Sequence, residues 1–254
     1  MDIFELIFRA MLLYAQKARL FFAAGLAYML CALVVIGWAS AVLLVDMAVA
    51  LSAGGEYGEW ARSFPHAAAI FTVTLCGIAL ISAGLSALWG GFLNLCTRIG
   101  AGLADVSLLD LVGYGIARAG VLAPIGHAHL VVLAMMALPA LALVQIGDAV
   151  LSGFGVLLFF AALWVSALPF ALAFPAAVEE GCGPVAAMIL GLRALLSRLA
   201  ASAVLMVFIA LIYAAGVALL PLFPIYFFLV GAPISALALM AYYQKTRVRG
   251  FDRA

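Results

Sequence analysis

The chain has 254 residues, 69% of them hydrophobic and 9% charged, with a formal net charge of +1. A water-soluble domain carries roughly 25% charged residues, so most of this surface must be solvated by lipid rather than water. A net charge so close to zero also excludes a global field that would gather nucleic acid or an acidic substrate.

Residues 2–18 have the spacing of an amphipathic helix. Asp2, Glu5, Arg9 and Gln16 share one face, and Ile3, Phe4, Ile7, Phe8, Met11 and Tyr14 share the other. Asp2 and Glu5 are foreign to the basic start of a cleavable signal, so Met1–Arg19 is expected to stay in the mature protein. Lys17 and Arg19 stand where their stems reach the headgroups before a first span. Leu20–Val45 is free of charge for 26 residues, beyond the roughly 20 that a spanning helix needs, and Asp46 follows. Gly54 and Gly55 break the helix in a loop, Ser52–His66, that holds Glu56, Glu59 and Arg62.

Ala67–Cys96 reads as the second span. Ala79, Ala83, Ala87 and Gly91 recur every four residues, flanked by Ser82, Ser86 and Gly90, a seam that lets another helix approach closely. Thr97–Gly120 is a second surface segment, with Asp105 as its expected cap. Its polar face is Ser107, Asp110, Tyr114 and Arg118, and its apolar face is Leu108, Leu109, Val112 and Ile116. The third span is expected from about His127 to Ile146, kinked at Pro139, and the fourth from Val150 to Val178 after a turn at Gln145–Asp148.

Glu179 and Glu180 then lead through Gly181-Cys182-Gly183 to Pro184, a residue suited to a first helical turn. Val185, Met188, Ile189, Leu192, Leu195, Leu196 and Leu199 follow one helical face, opposite Arg193, Ser197, Arg198 and the alanines 186, 187 and 194. This helix is expected to lie on a membrane surface, large apolar side down. A fifth span, Ala200–Leu220, a short link at Pro221–Pro224 and a sixth span, Ile225–Tyr243, precede Lys245, Arg247, Arg249 and Arg253.

With six spans both termini share one side. That side collects Arg9, Lys17, Arg19, Arg98, Arg118, Arg193, Arg198, Lys245, Arg247, Arg249 and Arg253, against Arg62 alone on the other. Such an imbalance predicts cytoplasmic termini. The fold expected is an all-α polytopic membrane bundle of six transmembrane helices and three amphipathic cytoplasmic-surface helices, in one domain over residues 1–254. Surface helix plus membrane hairpin occurs three times, over 2–96, 105–178 and 184–243, as a structural pseudo-repeat.

Polar residues are too scarce for most catalysis, and no phosphate loop, G-x-S-x-G or H-E-x-x-H pattern occurs. His127 and His129, two apart on a helix, diverge too far to share a metal, and read as interfacial residues at the start of a span. Asp46 and Asp148 are placed at hydrated span ends. Glu179 and Glu180 read as a solvated turn that can also pair with Arg193 or Arg198, or dock a basic partner. Cys31, Cys76, Cys96 and Cys182 contain no C-x-x-C spacing and read as buried, unpaired thiols. No metal or cofactor is expected.

The segment FPAAVEEGCGPVAAMILGLRALLSR, Phe174–Arg198, resembles an uncharacterised prokaryotic (archaeal) family of multi-pass membrane proteins. That family is related to the membrane domain attached to glycerophosphoryl diester phosphodiesterases. Glu180-Gly181, Arg193 and Arg198 carry the match, and no phosphodiesterase domain accompanies them. The resemblance implies an architecture and a membrane location rather than an activity.

Two functional expectations follow. One is a non-enzymatic scaffold or assembly factor of the plasma membrane whose surface helices touch lipid or a protein partner. The other is the permease subunit of an ABC-type exporter, docking a cytoplasmic ATPase through the helix between spans two and three. Candidate contact positions are Glu179, Glu180, Arg193, Arg198, Asp110 and Arg118. A polar cavity holding Asp46 or the pair His127 and His129, open to the bilayer, would point instead to a lipid-modifying enzyme.

Overall fold

The structure is a computed structural model that describes residues 3–52, 64–103, 107–146, 148–217 and 220–251. These residues form helices and no strands. A short helix α1 (Ile3–Gln16) precedes two long ones, α2 (Ala18–Ser52) and α3 (Phe64–Gly100). A second short helix, α4 (Leu108–Ala117), precedes α5 (Ala119–Gln145) and α6 (Ala149–Glu180). A third, α7 (Pro184–Ser197), precedes α8 (Leu199–Val217). The last long stretch is composite: a one-turn α9 (Phe223–Tyr226), a π-helical turn (Phe227–Gly231) and α10 (Ala232–Phe251).

By length and composition, six stretches can cross a membrane: Ala18–Trp38, Thr74–Gly100, Ala119–Gln145, Ala149–Glu180, Leu199–Val217 and Phe223–Arg247. Helices are the form expected there, because hydrocarbon offers no partner for an unpaired backbone group. The same constraint explains the differences in element boundaries. The third span begins at Ala119 rather than near His127, and α5 runs unbroken through Pro124 and Pro139. A proline forfeits one backbone bond, but a chain in lipid gains nothing by opening further.

The helix starts show where capping differs from expectation. Ser107 caps α4, its Oγ accepting from Leu109 N at 3.1 Å. Asp148, at the tight turn after α5, caps α6 by accepting from Val150 N and Leu151 N, both at 3.0 Å. Asp105, the expected cap of α4, lies outside the described residues, as do Asp2, Glu56, Glu59, Arg62 and Arg253, and so do the side chains of Asp46, His66 and Arg249.

The core is lopsided along the bundle. Its fully buried side chains include Phe21 of α2, Phe92, Leu95 and Ile99 of α3, Leu111 of α4, Leu122 and Ile125 of α5, Leu205 of α8 and Tyr242 of α10. These cluster at the end that carries α1, α4 and α7, with α10 packed against helices of all three units. At the opposite end Trp38, Leu75, Met135, Leu138, Val150, Phe154 and Leu157 are exposed. Among apolar side chains surrounded by lipid, close packing rather than escape from water distinguishes these ends.

Small residues make that packing close. At Gly91 of α3 an added methyl would meet the Leu111 carbonyl of α4, and at Gly115 it would lie 2.6 Å from the Ala87 carbonyl. Gly126 of α5 rests on Ser86 and Ser82. The small-residue seam of the second span therefore seats α4 and α5.

Candidate functional site

The six candidate contact residues, Asp110, Arg118, Glu179, Glu180, Arg193 and Arg198, lie at the packed end, where several act as internal ties, whereas Asp148 lies at the open end. Arg118, the residue between α4 and α5, is half-buried and donates through Nη2 to the carbonyls of Ala177 (3.1 Å) and Cys182 (3.2 Å). It thereby satisfies acceptors at the C-terminus of α6, where a cation also meets the negative end of the helix dipole. Burial holds the neighbouring Tyr114 hydroxyl above its ordinary pKa range, against the lowering effect of Arg118.

The same tie recurs at the other junctions. Lys17, between α1 and α2, donates to Ile99 O at the end of α3, at 2.6 Å. The Arg198 carbonyl, between α7 and α8, accepts from the Tyr242 hydroxyl of α10 at 3.3 Å, and Tyr242 is also bonded to Ser202 at 2.7 Å. Each short helix thus ends on a residue bound to the second long element of its own hairpin.

Glu179 and Glu180 do not pair with Arg193 or Arg198. Glu180 forms an ion pair with Arg247 Nε at 2.9 Å and accepts from the Tyr243 hydroxyl at 3.2 Å, and Glu179 accepts from Gln244 Nε2 at 2.7 Å. The reason is topological: α10 ends beside the C-terminus of α6, so its polar residues reach the carboxylates first. Asp110 pairs with Arg98 at 3.2 Å across the α3–α4 contact. Arg193 is exposed and Arg198 half-buried, and neither side chain has an ion-pair partner among the described residues.

Helix α7 departs from a simple surface helix. It folds back on α6, and a methyl at Gly191 would lie 2.6 Å from Ala173 N. Ala187 and Ala194, expected on the water side, are buried with Gly191 in this contact, and Leu195 is buried too. Val185, Ile189, Leu192 and Leu196 remain uncovered. The helix therefore has three sectors: small residues toward protein, large apolar residues outward, and Arg193 with Ser197 between them. Helix α1 repeats the division, with Leu6, Ile7 and Ala10 buried, Phe4, Phe8 and Met11 uncovered, and Glu5 paired to Arg9 at 2.7 Å. On α4, Leu111 is buried while Leu109 and Ile116 are uncovered.

The two histidines lie inside α5 rather than at its start. With α5 starting at Ala119, they lie roughly 12 and 15 Å along the helix at 1.5 Å per residue. His127 Nε2 is 2.8 Å from Ala79 O on α3. His129 reaches the other way, stacking on Phe170 of α6 at 5.1 Å with Nε2 3.4 Å from Ser166 Oγ. Among the described residues no three His, Cys, Asp or Glu side chains converge on one point. The four cysteines are free thiols, and Cys76 is exposed on α3 rather than buried.

His129 opens onto a cavity of about 940 Å³ between the long helices. Its wall is mainly apolar and aromatic, with Trp89, Trp164, Phe174 and Phe227 prominent, and among the described residues it contains no Asp, Glu, Lys or Arg. Tyr28 and Trp89, both packed on the buried Phe92, line it toward the packed end, while Ile78 and Phe160, both exposed, lie toward the open end. Apolar lining disfavours water, so hydrocarbon is the fitting content.

One wall is shaped by the π-helical turn. Gly25 of α2 lets the backbone at Phe228 and Leu229 approach, with Leu229 Cα 3.2 Å from where a methyl would stand. The Leu229 carbonyl accepts from the Tyr14 hydroxyl of α1 at 2.9 Å. Beyond the turn Ser235 lines the cavity, 1% exposed, and its Oγ makes no hydrogen bond among the described residues. The Tyr213 hydroxyl is the group placed to pair with that oxygen.

Sequence reading missed this cavity, because its lining comes from α2, α3, α5, α6, α8 and the sixth span, each contributing residues that look like ordinary span composition. Ser82, Ser86, His129 and Ser235, polar residues within apolar runs, were the available signals. No protein-family model, curated protein or solved structure matches the chain, so the functional reading rests on its own residues.

Proposed function

We propose that this chain is a non-enzymatic integral protein of the plasma membrane with cytoplasmic termini, acting as a scaffold or assembly factor. The observation that carries this reading is the pair of contrasting faces on the short helices. Each is fixed to the bundle on one side and leaves large apolar residues uncovered on another, Leu109 at 81% and Val185 at 63% exposure among them. A rigidly held, uncovered apolar row is a surface for lipid or for another membrane protein. The threefold recurrence of short helix, hairpin and junction tie supports reading the three units as pseudo-repeats. The concentration of Lys and Arg at the packed end supports a cytoplasmic position for it.

Photocrosslinkers placed at Leu109, Val185 and Leu196 test the scaffold reading in cells. Reproducible adducts with lipid or with one membrane protein are expected. Substrate turnover by the purified chain alone would overturn it.

The cavity between the long helices favours a second reading, the permease subunit of an ABC-type exporter. In that case a cytoplasmic ATPase co-purifies, and altering Asp110 weakens its capture. Arg118 is a poorer docking residue, since α6 already engages its guanidinium. A lipid-modifying enzyme is disfavoured by the wall of the cavity, which includes His129 without His127 and is otherwise mostly apolar.

A further inference from the structure

We propose that α7 holds an anionic phospholipid, with the phosphate on Arg193 and one acyl chain laid along the uncovered apolar row beside it. This rests on the lipid-contacting side of the scaffold reading and names the class of lipid.

The charge balance of this face selects an anion. Among the described residues, Arg9, Arg98 and Arg247 pair with carboxylates, and Arg118 binds backbone carbonyls. Arg19, Arg193 and Arg198 have no such acceptor there, and two of these three belong to α7 and its junction with α8. The chain has no Asp or Glu between Glu180 and Asp252, so α7, α8 and α10 carry no acid of their own. Glu179 and Glu180, just before α7, are already engaged by Gln244, Tyr243 and Arg247. A planar guanidinium is suited to bind two phosphate oxygens at once.

The neighbours of Arg193 select a lipid as the carrier of that phosphate. Ile189 and Leu196 stand four residues before it and three after it, the spacing that makes side chains neighbours on a helix. Both are uncovered, as is Leu192. The other side of the helix, Ala187, Gly191 and Ala194, is buried, and Gly191 is closed against the α6 backbone, so the row is held facing outward. A groove of about 210 Å³ between α6 and α7, lined by Pro169, Phe170, Met188, Ile189 and Leu192, adjoins this row. It is smaller than the roughly 300 Å³ at which small-molecule sites begin. It therefore takes part of one acyl chain and leaves the headgroup outside, on Arg193. A free phosphate would satisfy the charge and leave groove and row bare, whereas one phospholipid covers all three.

The test uses the full chain in phosphatidylcholine nanodiscs doped with phosphatidylglycerol that carries a diazirine on one acyl chain. Adducts are expected to concentrate at Phe170, Ile189 and Leu192. Unlabelled phosphatidylglycerol should compete at least about fivefold better than phosphatidylcholine, the contribution of one arginine beside an anionic headgroup. Arg193→Gln, a change at an exposed position, is expected to weaken labelling about fivefold, and the double change with Arg198→Gln about twentyfold. Arg9→Gln removes a charge already matched by Glu5, so it should alter labelling less than about twofold.

Equal competition by phosphatidylcholine, unchanged labelling in folded Arg193→Gln protein, or adducts spread evenly over other uncovered residues such as Leu138 and Val150 would overturn the proposal. So would displacement of the probe by inorganic phosphate, the mark of a free-anion site, or selective capture of an acidic protein by a photocrosslinker at Ile189 in cells. The competition series needs no variant, so it decides even where Arg193→Gln fails to fold. Lipid adducts without headgroup preference would sink this proposal and leave the scaffold reading standing. Substrate turnover would count against the scaffold reading without touching the competition result.

Discussion

The two ends of this bundle are made of the same kinds of residue and behave differently. At the packed end, glycine and alanine let backbones touch, and junction residues are tied to the ends of neighbouring helices. At the open end the side chains are equally apolar, and α5 and α6 still touch where a methyl at Gly155 would lie 2.7 Å from the Ala140 carbonyl, but Leu75, Met135, Leu138 and Leu157 point away from protein. In lipid, hydrophobicity does not sort residues into core and surface. Small size and polar ties do. The packed end is therefore the structural frame, and the open end is free to surround a cavity.

The sharpest way to break this comparison is to place the same change at both ends. Gly191→Leu drives a side chain into the α6 backbone, where a methyl alone would be 2.6 Å from Ala173 N. It is expected to cost ~3 kcal/mol or more and to remove most monodisperse protein on size-exclusion chromatography. Gly153→Leu, at the open end with nothing within 4 Å, should change stability by less than about 0.5 kcal/mol. Equal losses at both sites would show that the ends are not packed differently.

Smaller effects sharpen the role of the ties. Arg118→Met keeps the bulk of the stem but removes two charge-assisted bonds to α6, an expected loss of about 2 kcal/mol, read from thermal melting in detergent. Lys17→Met removes one such bond and should cost about half as much. Glu180→Gln weakens the contact with Arg247, whose side chain is 44% exposed, so only ~0.5 kcal/mol is expected. Its effect should appear as faster amide exchange at the end of α10 rather than as a lower melting temperature.

The outline of the fold was readable from the sequence because charge-free runs and cation placement report directly on span number and end. Within the spans, the outcome depended on which signal was followed. The small-residue seam at Ala87 and Gly91 of α3 correctly marked a packing face. The same signal at Ala187, Gly191 and Ala194 was passed over in favour of the large residues of α7, and the buried face was assigned to water. The partners of Glu179 and Glu180 could not be read, since Tyr243, Gln244 and Arg247 are distant in sequence and become neighbours only when α10 packs. The start of the third long helix was set near His127 rather than at Ala119, because the residues before it, with Pro124, Gly120 and Gly126, read as part of the surface segment.

Whether the two ends lie on opposite faces of a membrane is open to direct measurement. In a cysteine-free background, single substitutions Asp148→Cys at the open end and Gly183→Cys at the packed end can be challenged in intact cells with a membrane-impermeant maleimide. Labelling of Asp148→Cys from outside, and of Gly183→Cys only after permeabilisation, is the expected result. Labelling of both positions from the same side, or the reverse pattern, would contradict the account.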